Sequence, residues 1–166
     1  MPKHPLDAID CRIVEALQDD GRLSNVELAE RVGLSPSPCL RRVRRLEEEG
    51  YIKAYRAVLD RSLVGLGLSV FLGVKIHNHA NAQALDFERA VLAMPEVIAL
   101  HLVSGDVDYV LEIVAPDLDH YQRFLVNKFL ELPIVREVRS TIVIQSLRAS
   151  APLPLQHLEK ANQRSP

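Results

Sequence analysis

The sequence lacks the features that mark several broad classes of protein. It has two cysteines, Cys11 and Cys39, in 166 residues, too few for a disulfide framework. Its apolar runs are shorter than the roughly 18 residues needed to span a bilayer, and it shows no recognisable secretory leader. We therefore expect a protein of the reducing cytoplasm that has no membrane partner.

An excess of charge of one sign is also missing. The chain has 20 Lys and Arg residues against 22 Asp and Glu residues, a net charge of −2. Dividing it after Asp60 leaves 10 basic and 11 acidic residues on each side, so bulk charge does not distinguish the halves. A near-neutral chain gives no general indication of a nucleic-acid partner, and the question has to be asked segment by segment.

The motifs of common enzymes are absent from the sequence. There is no glycine-rich phosphate loop, nucleophile elbow or zinc-binding HExxH helix. His77 and His79 lack a third ligand nearby and are more typical of a solvated loop than of a metal site. Cys39 fits a small buried hydrophobe better than a redox thiol, and His101 fits the core or an interface. We predict no catalytic residue, metal or cofactor, and no enzyme.

The first fifty residues have the apolar spacing of helices. Apolar residues recur every three or four positions between Leu6 and Leu17, as on one face of an amphipathic helix. Ser24 and Glu27 form a capping box that opens a second helix. Gly33 is placed to end that helix in the left-handed conformation. Two short helices in this arrangement, followed by a third, predict a helix-turn-helix.

The third helix is expected to begin at residues 35–38, where serine can cap and proline suits the first turn. Its predicted buried stripe is Leu40, Val43 and Leu46. The face that this stripe leaves free would carry four arginines within five residues, namely Arg41, Arg42, Arg44 and Arg45. Arginine suits both phosphates and guanine edges, and Ser35 and Ser37 would offer hydroxyls at a helix terminus that favours phosphate. The alternative is a solvated face whose arginines pair with Glu47, Glu48 and Glu49.

After Gly50 the period of the pattern changes from about 3.6 residues to two. Residues 51–59 are predicted as a strand or a pair of short strands, and residues 61–68 as a hinge. The remaining pattern predicts strands at 69–76, 97–103, 109–115 and 138–145, with helices at 82–94 and 118–132. This βαββαβ order is that of a ferredoxin-like sandwich, so the fold class is α+β. Open edge strands make dimerisation plausible.

Residues 25–47 (NVELAERVGLSPSPCLRRVRRLE) closely resemble the winged helix-turn-helix of the Lrp/AsnC family of leucine-responsive, or feast/famine, transcriptional regulators. Residues 6–10, 50–52 and 101–109 resemble the same family, and the resemblance extends over about residues 5–147. It implies a winged helix-turn-helix DNA-binding domain at 1–60, a hinge at 61–68 and a ferredoxin-like domain for sensing and oligomerisation at 69–149. Residues 150–166 form a tail to which we assign no role.

The resemblance also implies partners and site residues. Members bind double-stranded DNA as homodimers that can assemble into octamers, and their amino-acid effector binds between dimers near the turn that links the second and third strands of the sensor domain. The effector-binding residues implied for this chain are Leu102, Ser104, Gly105, Asp106, Asp108, Thr141, Ile142 and Val143. Gly105 permits close approach of the backbone, and an aspartate can accept hydrogen bonds from an ammonium group.

Taken from the residues alone, the same turn is an ordinary hairpin with solvated acids. The leading hypothesis is a sequence-specific DNA-binding transcriptional regulator whose DNA binding or assembly responds to a small ligand, an amino acid. The alternative is an amino-acid-binding regulatory subunit, or a small ferredoxin-like enzyme, that does not bind DNA.

Overall fold

A computed structural model describes residues 5–77, 81–148 and 150–158. The described residues fall into two compact units. The first comprises residues 5–58 together with 148 and 150–158, and the second comprises residues 59–147. Each unit has its own hydrophobic core.

The first unit contains three helices: α1 (Ala8–Asp19), α2 (Asn25–Val32) and α3 (Pro36–Glu48). The predicted capping box at the start of α2 is confirmed, because Ser24 and Glu27 bond to each other's backbone amides. Gly33 ends this helix with φ of 74°, the left-handed conformation expected of it. α1 has a similar box, in which the Asp7 carboxylate accepts from the amide of Asp10 at 2.8 Å.

The start of α3 differs from the prediction. Ser35 is the N-cap residue, but its side chain makes no capping hydrogen bond. A capping hydroxyl normally accepts from the second or third backbone N–H of the helix. The third residue of α3 is Pro38, which has no N–H, and Pro36 occupies the first position. Pro36, with its preset φ, therefore suits this start without a serine cap.

The buried side of α3 was also predicted wrongly at one position. Cys39 and Leu46 are fully buried, whereas Leu40 is 38% exposed. Cys39 and Leu46 are seven residues apart, close to two full turns of 3.6 residues, so they lie on the same side of the helix. The predicted residues Leu40, Val43 and Leu46 are separated by steps of three, and each step falls short of a full turn, so Leu40 lies on a different side from Leu46. The core of this unit therefore takes Cys39, Val43 and Leu46 from α3, and Leu40 lies outside it.

No strand is present among residues 51–60, where one or two were predicted. A strand is stabilised by hydrogen bonds to a neighbouring strand. The described part of the first unit contains only helices and irregular segments, so this segment has no strand to pair with there. Tyr55 is nevertheless anchored, because its hydroxyl donates to the Glu47 carboxylate at 2.9 Å.

The described part of the C-terminal tail packs on the first unit. Gln18 of α1 bonds to both backbone groups of Leu153, accepting from its amide at 2.6 Å and donating to its carbonyl at 3.2 Å. Leu155 is 9% exposed, and Leu158 packs against the helical core. Residues 153–158, to which the sequence assigned no role, thus extend that core.

The second unit is a four-stranded antiparallel sheet with helices on one face. Its elements, in chain order, are β1 (Leu68–Ile76), α4 (Asn81–Leu92), β2 (Val97–Leu102), β3 (Tyr109–Ala115), α5 (Leu118–Phe124), a π-helical segment (Leu125–Phe129) and β4 (Val135–Ile142). The spatial order is β2-β3-β1-β4. The predicted βαββαβ order is confirmed. Aromatic side chains of the helices, Phe87, Tyr121, Phe124 and Phe129, fill the core against the inward residues of the strands.

β4 lies three residues earlier than predicted. It pairs antiparallel with β1, from Ile76 opposite Val135 to Val70 opposite Ile142. The last hydrogen bond of this ladder joins the Val143 amide to the Ser69 carbonyl. β1 begins at Leu68, so only one β1 residue lies beyond Ser69, and β4 ends close to the start of β1.

The other face of the sheet is open in the single chain. Phe71 of β1 is 43% exposed there, opposite Thr141 of β4. His101 lies opposite Val110 and is exposed, so it is not in the core of this chain. No helix in the described ranges is long and apolar enough to cross a membrane.

We expect truncation of the tail's buried leucine to destabilise the first unit. Leu155→Ala removes apolar packing from the core that contains α1, and a loss of about 2 kcal/mol is the lower end for such a change. Amide hydrogen exchange within α1, followed by mass spectrometry, measures the effect locally. Leu147→Ala is the matched control because Leu147 is 88% exposed. Equal exchange in the two variants would contradict the structural role of the tail.

Candidate DNA-binding face and effector turn

The outward face of α3 is formed by residues that fall within about a third of the helix circumference at 100° per residue. All are exposed: Ser37, Leu40, Arg41, Arg44 and Glu48. Within the described ranges, the guanidinium groups of Arg41 and Arg44 form no ion pair. They are therefore available to an anionic partner, and we call these five residues the outward face.

Arg42 and Arg45 face the opposite way, towards α1. Arg42 Nη1 lies 2.6 Å from Asp7 Oδ2 and 2.8 Å from Asp10 Oδ1. Arg45 Nη2 lies 2.5 Å from Asp10 Oδ2. The prediction that all four arginines share one free face is therefore wrong. Two are free, and two are bound to the first helix.

The carboxylates that bind these arginines are not the ones proposed as the alternative. That alternative paired the arginines with Glu47, Glu48 and Glu49 along the same helix, whereas the observed ion pairs of Arg42 and Arg45 join α3 to α1. The side chain of Asp10 is 1% exposed and bonds to both guanidinium groups. Removing one member of a buried ion pair typically costs about 3–5 kcal/mol because a charge is left uncompensated. Asp10 therefore fixes the position of α3 relative to α1.

The contact between Arg42 and Asp7 favours the charged forms of both side chains. The hydrogen bond to Asp7, followed by that to Asp10, raises the pKa of Arg42. Burial acts to raise the pKa of Asp7, but the amides of Asp10 and Ile9 together with Arg42 outweigh it and hold that pKa below its usual 3.8. The sequence analysis does not identify Asp7 and Asp10 as functional residues. Acids three residues apart at the start of the first helix of a three-helix unit whose third helix is arginine-rich are the pattern that could have indicated them.

The N-terminus of α3 offers fewer phosphate donors than expected. Ser35 and Ser37 are both exposed there, but the first and third helical residues are Pro36 and Pro38, which have no N–H. Only the Ser37 amide remains among the first three backbone donors. Phosphate binding here would therefore depend on the hydroxyls and on arginines more than on the helix terminus.

The predicted effector turn joins β2 to β3, and its members have different surroundings. Leu102 is 70% exposed, Ser104 and Asp106 are exposed, and Gly105 has φ of 139°, a conformation that favours glycine. Asp108 is instead part of the sheet structure. Its carboxylate accepts from the Ile76 amide at 2.9 Å, and its own amide donates to the Val74 carbonyl at 2.9 Å.

The remaining predicted effector residues lie elsewhere on the sheet. Thr141 is opposite Phe71, while Tyr109, where the turn ends, is opposite Val74. Three residues along the strand and two strand spacings separate them, about 14 Å by the usual dimensions of a sheet. Thr141 and Ile142 are exposed, and Val143 is half-buried. One chain therefore does not bring the two parts of the predicted site into a single pocket.

Side chains that commonly bind metal ions are not clustered in the described part of the chain. Within those residues, no group of three or more His, Cys, Asp or Glu side chains is placed to hold a metal ion. Of the histidine pair considered from the sequence, His79 lies outside the described residues, as does the intervening Asn78. Cys11 and Cys39 are buried and are not joined in a disulfide, and burial raises the pKa of Cys39.

Comparisons with known proteins match a known type of domain to each part of the chain. Residues 6–53 match the model of a winged helix-turn-helix DNA-binding domain, and residues 69–153 match that of the Lrp/AsnC ligand-binding domain. The chain belongs to the Lrp/AsnC family. It is 43% identical over 149 residues to the leucine-responsive regulatory proteins of Escherichia coli (strain K12) and Salmonella typhimurium, covering 90% of this chain and 91% of each relative.

Solved structures show the same relationship. A transcriptional regulator of Neisseria meningitidis, in complex with L-methionine, has 39% sequence identity and a TM-score of 0.88, with 92% of this chain and 99% of the other covered. An AsnC family transcriptional regulator of Agrobacterium tumefaciens has 34% identity and a TM-score of 0.87 at the same coverage. The protein is thus a DNA-binding transcriptional regulator whose activity is modulated by a small ligand. The family is one of regulators, which supports this hypothesis over that of an enzyme or enzyme subunit.

We expect the stability of the first unit to depend on pH through Asp7. Because its folded-state pKa is lowered, the ionised carboxylate contributes stability that is fully present above the unfolded pKa of about 3.9 and is lost as pH falls through the lower folded value. Asp7→Asn should be less stable than the wild type at pH 6, and the difference should close between about pH 4 and pH 2.

Urea unfolding of the first unit, followed by amide exchange in α1 and α3 at several pH values, measures this difference. Asp119→Asn removes an exposed carboxylate from the second unit and serves as the control. A constant difference between Asp7→Asn and the wild type across this pH range would contradict the assignment.

Proposed function

We propose that the outward face of α3 contacts DNA directly and that Arg42 and Arg45 act as positioning residues behind it. Ser35, Ser37, Arg41 and Arg44 are the polar contact residues in this proposal. The observation that carries it is the division of the four arginines, two exposed without an ion pair in the described structure and two bound to Asp7 and Asp10. Exposed guanidinium groups suit phosphates and guanine edges.

We propose a homodimer as the DNA-binding form, with octamers as a further assembly. A dimer presents two α3 helices, so the DNA site should be a pseudo-palindrome with half-sites about one helical turn apart or a multiple of it. The open face of the sheet, with Phe71 43% exposed, supplies an apolar surface for association. The wide spacing of the predicted effector residues supports a ligand site assembled from more than one chain.

We propose an amino acid with an apolar side chain as the effector. The Neisseria relative was solved with L-methionine, and the named relatives are leucine-responsive, so methionine and leucine are the first candidates. Leu102 would contact the side chain, and the exposed Ser104 and Asp106 would bind the charged groups, with Gly105 allowing close approach. Thr141, Ile142 and Val143 would belong to the same site through a second chain. Asp108 would support the turn from within.

The division of the chain that we propose is a DNA-binding domain at 1–60, a hinge at 61–68, a sensing and oligomerisation domain at 69–149 and a tail at 150–166. A regulator of this kind acts where the DNA is, so we propose that it functions in the cytoplasm. It needs no cofactor other than its effector in this scheme. The effector changes DNA binding only to the extent that it binds two assembly states with different affinities.

The two pairs of arginines should differ in binding experiments. Arg41→Ala and Arg44→Ala should weaken binding to a duplex selected by the wild type and reduce the slope of log Kd against log salt concentration by about 0.9 for each phosphate that is no longer neutralised. Arg42→Ala should weaken binding with little change in that slope, because it acts through the position of α3. It should also lower the Tm, whereas the two outward variants should not.

Fluorescence anisotropy at four salt concentrations gives these slopes, and differential scanning calorimetry gives the Tm. A slope for Arg42→Ala as low as that for Arg44→Ala, with an unchanged Tm, would place Arg42 on phosphate and contradict its positioning role.

Variants of the two aspartates in the turn should have different effects, one on ligand binding and the other on stability. Saturating methionine or leucine should raise the Tm of the wild type, since a ligand at 100 times its Kd adds about 2.7 kcal/mol to the free energy of unfolding. Asp106→Ala should keep the unliganded Tm and lose this increase. Asp108→Ala should lower the Tm without ligand, because the Ile76 amide loses its acceptor.

Thermal-shift measurements with all twenty amino acids at millimolar concentration test both variants. Asp119→Ala removes an exposed aspartate in the first turn of α5, outside the turn between β2 and β3, and is the control. A full ligand-induced increase in Asp106→Ala would remove Asp106 from the effector site.

A further inference from the structure

Leu40 is the apolar member of the outward face, and the core of the first unit does not account for it. It is 38% exposed and is not among the residues packed against the helical core. Its neighbours on this face are Ser37 one turn before it, Arg41 beside it and Arg44 one turn after it. An exposed leucine in this position would gain stability by contact with an apolar group of the partner.

The position of Leu40 along the helix limits which part of DNA it can reach. The N-terminal residues of a recognition helix contact base edges in the major groove. Leu40 is the fifth residue of the 13-residue helix α3, in its second turn. Arg44 and Glu48 follow it by one and two turns. Leu40 is therefore on the part of the helix that lies nearest the bases when the outward face enters the groove.

The major groove presents one apolar group, the 5-methyl group of thymine, and aliphatic side chains discriminate thymine by contact with it. From the exposure and position of Leu40 we infer that its side chain contacts a thymine methyl group in each half-site and so contributes to sequence specificity. This inference rests on the proposed DNA-binding face. It adds a residue that reads a base edge without hydrogen bonds.

Replacing thymine by uracil tests this contact, because deoxyuridine lacks the methyl group and keeps the base-pairing edge. The wild-type protein first selects its site from a randomised duplex pool. Each thymine of the selected site is then replaced singly by deoxyuridine, and Kd is measured by fluorescence anisotropy. At one thymine of each half-site the wild type should bind about fourfold more weakly to the uracil duplex, the equivalent of about 0.8 kcal/mol for one buried methyl group.

Three variants make the test specific. Leu40→Ala should bind the thymine and uracil duplexes with equal Kd at that position, and Leu40→Met should keep most of the difference because it retains an apolar side chain. Val26→Ala, at an apolar residue of α2 that is 54% exposed, should keep the wild-type ratio. Because Leu40 lies outside the core, its variants should keep the Tm of the wild type, which is measured alongside.

Two outcomes would overturn the inference and are distinguishable from each other. Specific binding in which no uracil substitution affects the wild type, or affects it and Leu40→Ala equally, would exclude a methyl contact by Leu40 and leave the DNA-binding face intact. Failure of the wild type to select any sequence would overturn the proposed DNA-binding face, and the role of Leu40 with it.

Discussion

The buried carboxylate of Asp10 determines which parts of the third helix are available for recognition. It lies between the guanidinium groups of Arg42 and Arg45, and both arginines cross from α3 to α1 to reach it. A charge with 1% of its side chain exposed is tolerated only with such partners. Because these arginines must face α1, the orientation of α3 about its own axis is fixed. That orientation places Leu40, Arg41 and Arg44 on the exposed side of the helix. The arrangement of the outward face is therefore a consequence of an internal ion pair.

The same interaction explains how a chain of net charge −2 can present a basic surface. Asp7 and Asp10 neutralise the two inward arginines, Arg42 and Arg45. These two acidic residues therefore do not offset the positive charge of Arg41 and Arg44 on the outward face. The outward face keeps Arg41 and Arg44 beside one acid, Glu48. A face with so few cations has a small electrostatic contribution to non-specific binding. In the proposed homodimer, affinity for a particular sequence would then come from contacts to base edges and from the pairing of two α3 helices.

Each element could be predicted to the extent that the interactions that form it lie within the local sequence pattern. Apolar spacing and capping residues predicted α1, α2 and the order of the second unit, because these depend on neighbours within a few residues. Spacing did not fix the rotation of α3, since stripes through Cys39 and through Leu40 fit the periodicity almost equally. The absent serine cap was predictable in principle, because Pro38 has no N–H to donate. The strand expected at 51–59 and the limits of β4 depend on a partner strand, which local sequence does not contain.

The predicted effector residues show a different limit of prediction from the sequence. Their assignment came from the resemblance to the family and not from the chemistry of the turn, which by itself is that of an ordinary hairpin. The structure separates them by strand register and gives Asp108 a hydrogen bond within the sheet, so local sequence could not distinguish a ligand-binding acid from a supporting one. That distinction depends on the Ile76 amide, 32 residues away along the chain.

The connections between the two units bear on how an effector could change DNA binding. The chain passes from one unit to the other twice, after Val58 and again after Leu147. The second connection follows β4 by a few residues and leads to the segment held by Gln18 and by the burial of Leu155. A short stretch of chain therefore connects Thr141–Val143, which belong to the proposed effector site, to the core that supports α1. Since Asp10 on α1 positions α3, a displacement of α1 would be passed directly to the outward face.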